Sequence, residues 1–505
     1  MPPNSTGPNV LLITTDQQHW NTLGVVNDEI ETPNLDRLCE EGTLFDRTYC
    51  PNPTCTPTRA SIITGKPPSQ HGAWALGTKL LENEHTVGEE FQAAGYETAL
   101  FGKGHLQPTG DSEDYESIES MGPLQDLEFW RDFHGPFYGF EHVELNRNHA
   151  DEQLVGQHYA IWMEEQGLDN WREYFRKPTG TKDPQYGSWD LPEEYHYNTW
   201  IAERTNARLT EYAERNDPFF AWASFPDPHP PYLVPEPWAS MYDPDEVTVP
   251  TVESGEHEDN PPHFQLTQRD DPDFSEWRET GKFIPGFGSH RREEDELARD
   301  IALYYGMTSF TDAYVGRILD RLDELGLTED TIVVFTTDHG HFFGQHGLTG
   351  KGPFHYEDLI RLPFIARYPG EVPAGRRCAA LQNLTDLAPT FLSFADVDIP
   401  RAMTGVDQSE VWRGEAEGVR DCTVVENRAE PNALHLKTLV TDRYKLTVYR
   451  DREYGELFDL EEDPAERHNR WADPAYESVK RDLHRELLFA EMEKEPLPMP
   501  RISGA

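Results

Sequence analysis

Residues 331–340 read TIVVFTTDHG, and residues 9–17 read NVLLITTDQ. Each is a short, β-branched apolar run, the composition of a strand buried on both faces. Each ends on Thr-Thr-Asp, followed by a second side chain that carries a donor atom. Three more runs read as strands: Tyr96–Phe101 (YETALF), Pro218–Ser224 (PFFAWAS) and Leu362–Tyr368 (LPFIARY). Between them, Met307, Phe310, Tyr314, Ile318, Leu322 and Leu325 recur at steps of three and four, one apolar stripe on a helix from about Ala298 to Leu325. Gly326 is placed to stop that helix. Strands alternating with helices predict an α/β fold: a large, mainly parallel (mixed) sheet sandwiched by helices.

Working outward, the pattern changes near Asp421. Lys437–Thr441 and Tyr444–Tyr449 alternate apolar and polar around a Thr-Asp-Arg turn, and a helical pattern covers Tyr476–Glu493. The expected organisation is a catalytic α/β domain over 1–420 and a small C-terminal antiparallel sheet plus helix over 421–505. Residues 253–296 are rich in Asp, Glu, Pro and Asn with little periodicity. They read as an acidic surface insertion of the kind that forms lids.

The chain has 505 residues, 44 basic against 92 acidic, for a formal charge of −48. Phosphate backbones and anionic membranes need a basic footprint, so neither nucleic acid nor a membrane surface is an expected partner. Most of the basic residues are Arg. So acidic a skin tolerates strong salt screening and reads as the style of a halophile. Five sparse cysteines make no disulfide framework. The N-terminal stretch MPPNSTGPNVLLITTD lacks the basic region and long apolar run of a leader, and no run reaches membrane-span length, so a cytoplasmic protein is expected.

In open α/β sheets, ligands bind beyond the carboxyl ends of the strands. Past the first strand come Asp16 and Gln17, and past the strand at 331–337 come Asp338 and His339. Past YETALF come Lys103 and His105, and past PFFAWAS come Asp227 and His229. An Asp after a strand is often a turn former or helix cap. Two such Asp residues, each beside another donor, can instead hold one divalent cation through three oxygens and a nitrogen.

Residues 53–65 read PTCTPTRASIITG. Here the chain resembles the sulfatase family, within the alkaline-phosphatase-like hydrolases. Cys55, Pro57 and Arg59 occupy its C-x-P-x-R element. Gly95-Tyr96-Glu97-Thr98 through His105 resembles a second family signature, departing from it at Gly104. TPNLDRL (32–38), MYDPDEV (241–247), residues 351–370 and ELFDLEEDPAE (456–466) resemble further segments. The resemblance implies a sulfuric ester hydrolase in which a maturation enzyme converts Cys55 to formylglycine (3-oxoalanine). The hydrated aldehyde offers two hydroxyls, one to attack the sulfuryl centre and one to expel sulfate afterwards. It implies a metal site of Asp16, Gln17, residue 55, Asp338 and His339. Ca²⁺ is first choice because most donors are oxygen, and Mn²⁺ is second because of the imidazole. It makes Arg59 the partner of the hydrate, and Lys103 and Lys351 the grip on sulfate. His229 becomes the acid for the departing alcohol, and His105 the partner of the residue-55 hydroxyl. His341, His346 and His355 read as ordinary loop histidines.

Many sulfatases place Asp-Asp and Asp-Asn where this chain has Asp16-Gln17 and Asp338-His339. That pattern looks more like the phosphonate monoester and phosphodiester hydrolase branch, which is the alternative reading, and also like some bacterial sulfatases. A reading of another class, a non-catalytic binder of sulfated glycans, applies if Cys55 is never modified.

Overall fold

The computed structural model describes residues 7–147, 151–176 and 185–504; the first six residues of the N-terminal stretch read above lie outside them. Eight strands form the central sheet: β1 (Asn9–Thr15), β2 (Thr43–Phe45), β3 (Glu97–Gly102), β4 (His142–Leu145), β5 (Phe219–Ser224), β6 (Thr331–Thr337), β7 (Phe364–Arg367) and β8 (Arg376–Cys378). Their order is β8-β2-β7-β6-β1-β5-β3-β4. The run β6-β1-β5-β3-β4 is parallel, β7 is antiparallel to both β6 and β2, and β8 is parallel to β2. The sheet is large, mixed and mainly parallel, as the alternating pattern predicts. Apolar clusters cover both faces, one built on Val10 and Leu12 and the other on Leu11 and Ile13.

The helices that place the site are α1 (Cys55–Thr64), α2 (Tyr197–Arg215) and α3 (Glu294–Glu324). The predicted stripe on α3 is buried from Met307 to Leu322. That helix starts four residues earlier than its apolar pattern. Its first turn is acidic, and Glu293 and Glu296 close a capping box there. The expected strand Leu362–Tyr368 is divided. Arg361–Leu362 pairs with Thr48–Tyr49 in a separate small sheet, and only Phe364–Arg367 enters the main one. Pro363 lies at the break. It has no N–H for a ladder, and its carbonyl accepts from Thr336 Oγ1 at 2.9 Å.

At the C-terminal end, β9 (Cys422–Arg428), β10 (His435–Thr441), β11 (Tyr444–Tyr449) and β12 (Gly455–Asp459) make an antiparallel meander, with α4 (Glu477–Glu493) packed on one face. Residues 253–296 are mostly exposed, but the segment is anchored. Phe274, Trp277, Ile284 and Phe287 are buried in one cluster with Leu434, Leu436 and Tyr449 of the meander. The exposed acids of this segment mask those anchors in its composition. All five cysteines are free, and no helix among the described residues is long and apolar enough to cross a membrane.

Candidate active site

Strands β6, β1, β5 and β3 are neighbours, so their carboxyl ends form one rim. The β1–β6 register ends on Thr15 beside Thr337, which brings Asp16 and Asp338 out side by side. At the end of β3, Gly102 takes a φ of +98°, and a Cβ there would lie 2.0 Å from the Ser224 carbonyl oxygen. Only glycine lets the chain turn this close to β5 and deliver Lys103 inward.

Helix α1 starts at Cys55, and all ten of its residues are buried. Its N-terminus, with partly positive N–H groups, faces the rim. Ligand atoms of Asp16, Cys55, Asp338 and His339 lie within 4.8 Å of one another, and all four residues are buried. Cys55 Sγ is 3.6 Å from Asp16 Oδ1 and 3.2 Å from His339 Nε2. The Nδ1–H of His339 donates to the Gly340 carbonyl at 3.0 Å, which leaves Nε2 as a lone pair turned to the cluster. Burial and the Lys351 charge hold this imidazole near pKa 4 against the pull of Asp338, so it is neutral. Gln17, at φ 64°, points its amide nitrogen at His341, and its buried Oε1 has no partner among the described residues. Two carboxylates, one neutral imidazole, an unpartnered amide oxygen and residue 55 suit a divalent cation.

Arg59 lies one turn after Cys55 and is fully buried. Its Nε donates to Asp338 Oδ2 at 2.9 Å, and Nη1 to Ser224 Oγ at 2.7 Å and to the Lys103 carbonyl at 2.8 Å. Its Nη2 lies 3.4 Å from Asp16 Oδ2. Burial works against the guanidinium charge, but Asp338 and Asp16 outweigh it. Lys103 Nζ is 2.5 Å from Asp16 Oδ2. Burial raises the pKa of Asp16, and Lys103, His229, Arg59 and Lys351 together pull it well below the ordinary value. Burial pushes the Cys55 thiol up to about 11, so as an unmodified residue it is a neutral thiol at pH 7.

Lys351 reaches the cluster from the loop between the short strand Thr349–Gly350 and the helical turn Glu357–Ile360. Its Nζ donates to Cys55 Sγ at 3.2 Å, to His229 Nε2 at 3.1 Å and to His339 Nε2 at 3.3 Å. His229 Nδ1–H donates to the Pro230 carbonyl at 2.6 Å. His105 sits at φ 54°, and its Nδ1 has no partner among the described residues. Burial, with Arg147 and Lys103 nearby, holds it neutral. The sequence-predicted residues Asp16, Gln17, Cys55, Arg59, Lys103, His105, His229, Asp338, His339 and Lys351 thus converge on one rim.

Three residues there were not singled out from the sequence. Glu119 accepts the N–H groups of His105, Leu106 and Gln107 at 2.8–2.9 Å and fixes the loop after β3. Arg147 faces it at 3.6 Å and lines the site cavity. His341, read as an ordinary loop histidine, packs against Gln17. An alternating metal-donor pattern around 338–341 was the signal available for it.

The cavity over Cys55 holds about 580 Å³ and is lined by Gln17, His105, Arg147, His229 and Lys351. Residues from Phe283 to His290, just before α3, also line it. A larger cleft of about 870 Å³ opens beside Trp20 and Glu466, far in character from this one. Its Arg47 and Arg377 are already paired with Asp442 and Asp46, and no cysteine lines it among the described residues.

Comparison with known proteins agrees with this geometry. The sulfatase family pattern matches residues 8–397, and that of the N-sulphoglucosamine sulphohydrolase C-terminal region matches 344–493. The chain is 28% identical to an arylsulfatase of Clostridium perfringens, over 96% of this chain and 94% of that protein. It is also 28% identical to a multifunctional alkaline phosphatase superfamily protein of Trinickia caryophylli, over 96% and 95% of the two. The structure of the phosphonate monoester hydrolase of Agrobacterium radiobacter superposes with a TM-score of 0.79 at 25% identity, covering 98% of each chain. With its family pattern matched over most of its length and its rim chemistry in place, the chain belongs to the sulfatase family and is a hydrolase of sulfuric esters.

Proposed function

We propose that the chain splits R–O–SO₃⁻ into an alcohol and sulfate, with residue 55 acting as formylglycine. The observation that carries this reading is the convergence of Cys55, Asp16, Asp338 and His339 within 4.8 Å at the start of a buried helix. The catalytic part is 1–420, with 421–505 as a C-terminal subdomain, and the protein partner required is the enzyme that matures Cys55. Formylglycine at position 55 supplies a geminal diol as the nucleophile. A divalent ion held by Asp16, Gln17, residue 55, Asp338 and His339 lowers the hydroxyl pKa and neutralises charge on the ester oxygens; Ca²⁺ is the first choice and Mn²⁺ the second.

The protein's own residues do the rest. Lys351 stands between residue 55 and His229, where it binds a sulfate oxygen; Lys103 supplies charge from below beside Asp16. Arg59 ties the two carboxylates together. His229, its Nδ1–H fixed on Pro230, serves as the acid in its imidazolium form: with Lys351 turned to the sulfate oxygen, the second ring proton sits on Nε2 and passes to the departing alcohol oxygen. His105 accepts a proton from a hydroxyl of residue 55. The cavity of about 580 Å³ suits a small-molecule or sugar alcohol.

A second reading is favoured by the Gln17 and His339 pair and by the likeness to a phosphonate monoester hydrolase: turnover of phosphonate monoesters or phosphodiesters at the same site. Parallel kinetics on an aryl sulfate, an aryl phosphonate monoester and an aryl phosphodiester decide between them. A larger kcat/KM for either phosphorus ester overturns the first reading.

His229→Ala is expected to lower kcat/KM by about 10²-fold or more for an unactivated alkyl sulfate. The loss should be much smaller for a nitrophenyl sulfate, whose leaving group needs no proton. Equal losses on both esters would remove His229 from that role.

The acidic surface fits a protein built for high salt. Screening shortens from about 10 Å at 0.1 M to about 3 Å at 1 M. With a net charge of −48, the melting temperature is expected to rise between those two KCl concentrations. A fall across the same range would contradict the halophile reading.

A further inference from the structure

Gln17 is held at three of its polar groups. Its N–H donates to Asp338 Oδ1 at 3.0 Å, and its carbonyl accepts from Tyr304 Oη at 2.7 Å. Its side-chain Nε2 lies 2.7 Å from His341 Nδ1, and His341 Nε2 lies 2.8 Å from Tyr232 Oη. The ring of His341 stacks on that of Tyr304 at 5.2 Å and 20°. Gln17 and His341 are both buried, and Gln17 Oε1 alone has no partner among the described residues.

An amide offers an NH₂ at one end and an oxygen at the other, and the two ends are nearly the same size. A metal site wants the oxygen. It can face the cations only if something on the far side accepts the NH₂. His341 Nδ1 is that acceptor, which places the ring hydrogen on Nε2, where it donates to Tyr232. Turning the amide over would aim an NH₂ away from His341 and leave Nδ1 facing the amide oxygen.

We infer that His341, backed by Tyr232, is a positioning residue that orients the Gln17 amide so that its oxygen serves the metal. The inference rests on the proposed metal site and adds a residue to it. Tyr232 lies three residues after His229, so the relay also ties the ligand to the loop that carries the proposed acid.

The test measures divalent-ion affinity of the full-length protein, by competition with a chelating dye for Mn²⁺ and Ca²⁺. His341→Phe keeps the ring volume and the stack on Tyr304 but removes the acceptor. It is expected to weaken binding about 10- to 100-fold, the usual cost of losing a partner behind a ligand. His341→Asn places a carbonyl oxygen near the lost Nδ1 and should restore most of the affinity. In a Gln17→Leu background, His341→Phe should have no further effect. Tyr232→Phe, at a part-exposed side chain, should weaken binding by a smaller factor and guards against a His341 variant that does not fold. Wild-type affinity in His341→Phe, or equal losses in the Phe and Asn variants, overturns the inference while leaving the metal reading intact. A wild-type protein that binds neither ion, indistinguishable from Asp16→Asn, overturns the metal reading and this one with it.

Discussion

Cys55→Ala is expected to lower kcat for an aryl sulfate by on the order of 10⁴-fold or more, with little change in melting temperature. The expected asymmetry follows from where the residue sits. Its side chain is small, so deleting it leaves a cavity that costs about 1 kcal/mol. The surrounding charges, Arg59 with Asp16 and Asp338, remain paired without it. Yet those charges have nothing to act on once the nucleophile is gone. Cys55→Ser makes the sharper comparison. A single hydroxyl can attack, but it has no geminal partner to expel the product, so steady turnover should stay near the alanine value. The same argument governs unmatured wild-type protein, whose thiol is pushed up to about 11 by burial and is neutral at pH 7. Activity should therefore track the fraction of residue 55 that mass spectrometry finds as aldehyde, in a peptide lighter by the exchange of H₂S for oxygen. Retention of a tenth of the activity in Cys55→Ala would remove residue 55 from the chemistry.

Most of the rim was legible because its logic is local. Thr-Thr-Asp closes two strands, parallel strands in register end together, and Asp16 and Asp338 must then emerge as neighbours. Pro57 and the run that follows announce a helix, so Cys55 falls at its first turn. What the sequence did not reveal depends on distant partners. Pro363 divides one apolar run between two sheets, which a reading of hydrophobicity alone passes over. Phe274, Trp277 and Phe287 sit in an acidic stretch, and nothing in that stretch says that Leu434 and Tyr449 will cover them. Glu119 binds three consecutive N–H groups of a loop twelve to fourteen residues away, and its role exists only once that loop is folded. His341 looked like one more histidine in a histidine-rich loop until its Nδ1 was found opposite the Gln17 amide.

Asp338→Asn is expected to cost both stability and activity, for separable reasons. The carboxylate accepts at both oxygens: Oδ1 from the Gln17 N–H at 3.0 Å and Oδ2 from Arg59 Nε at 2.9 Å. Asparagine has the same shape but only one acceptor oxygen, so one of those two donors must face an NH₂ group at a fully buried position. Either choice leaves a buried donor unpaired, and the Arg59 charge loses half of its compensation. Breaking a buried ion pair from one side costs about 3–5 kcal/mol; Asp16, 3.4 Å from Arg59 Nη2, holds the loss toward the lower end. Metal affinity should fall as well, because the cluster gives up one of its two carboxylates, and kcat/KM should drop on the order of 10³-fold, about 4 kcal/mol of transition-state stabilisation. Saturating divalent ion should then recover part of the activity but not the melting temperature, since the ion cannot supply the acceptor that Arg59 or Gln17 has lost. Adding Arg59→Gln to Asp338→Asn removes the uncompensated charge, so it should recover stability and leave the enzyme inactive. If Asp338→Asn melts with wild type and turns over within threefold of it, Asp338 neither holds the ion nor anchors Arg59, and the rim is not the catalytic centre.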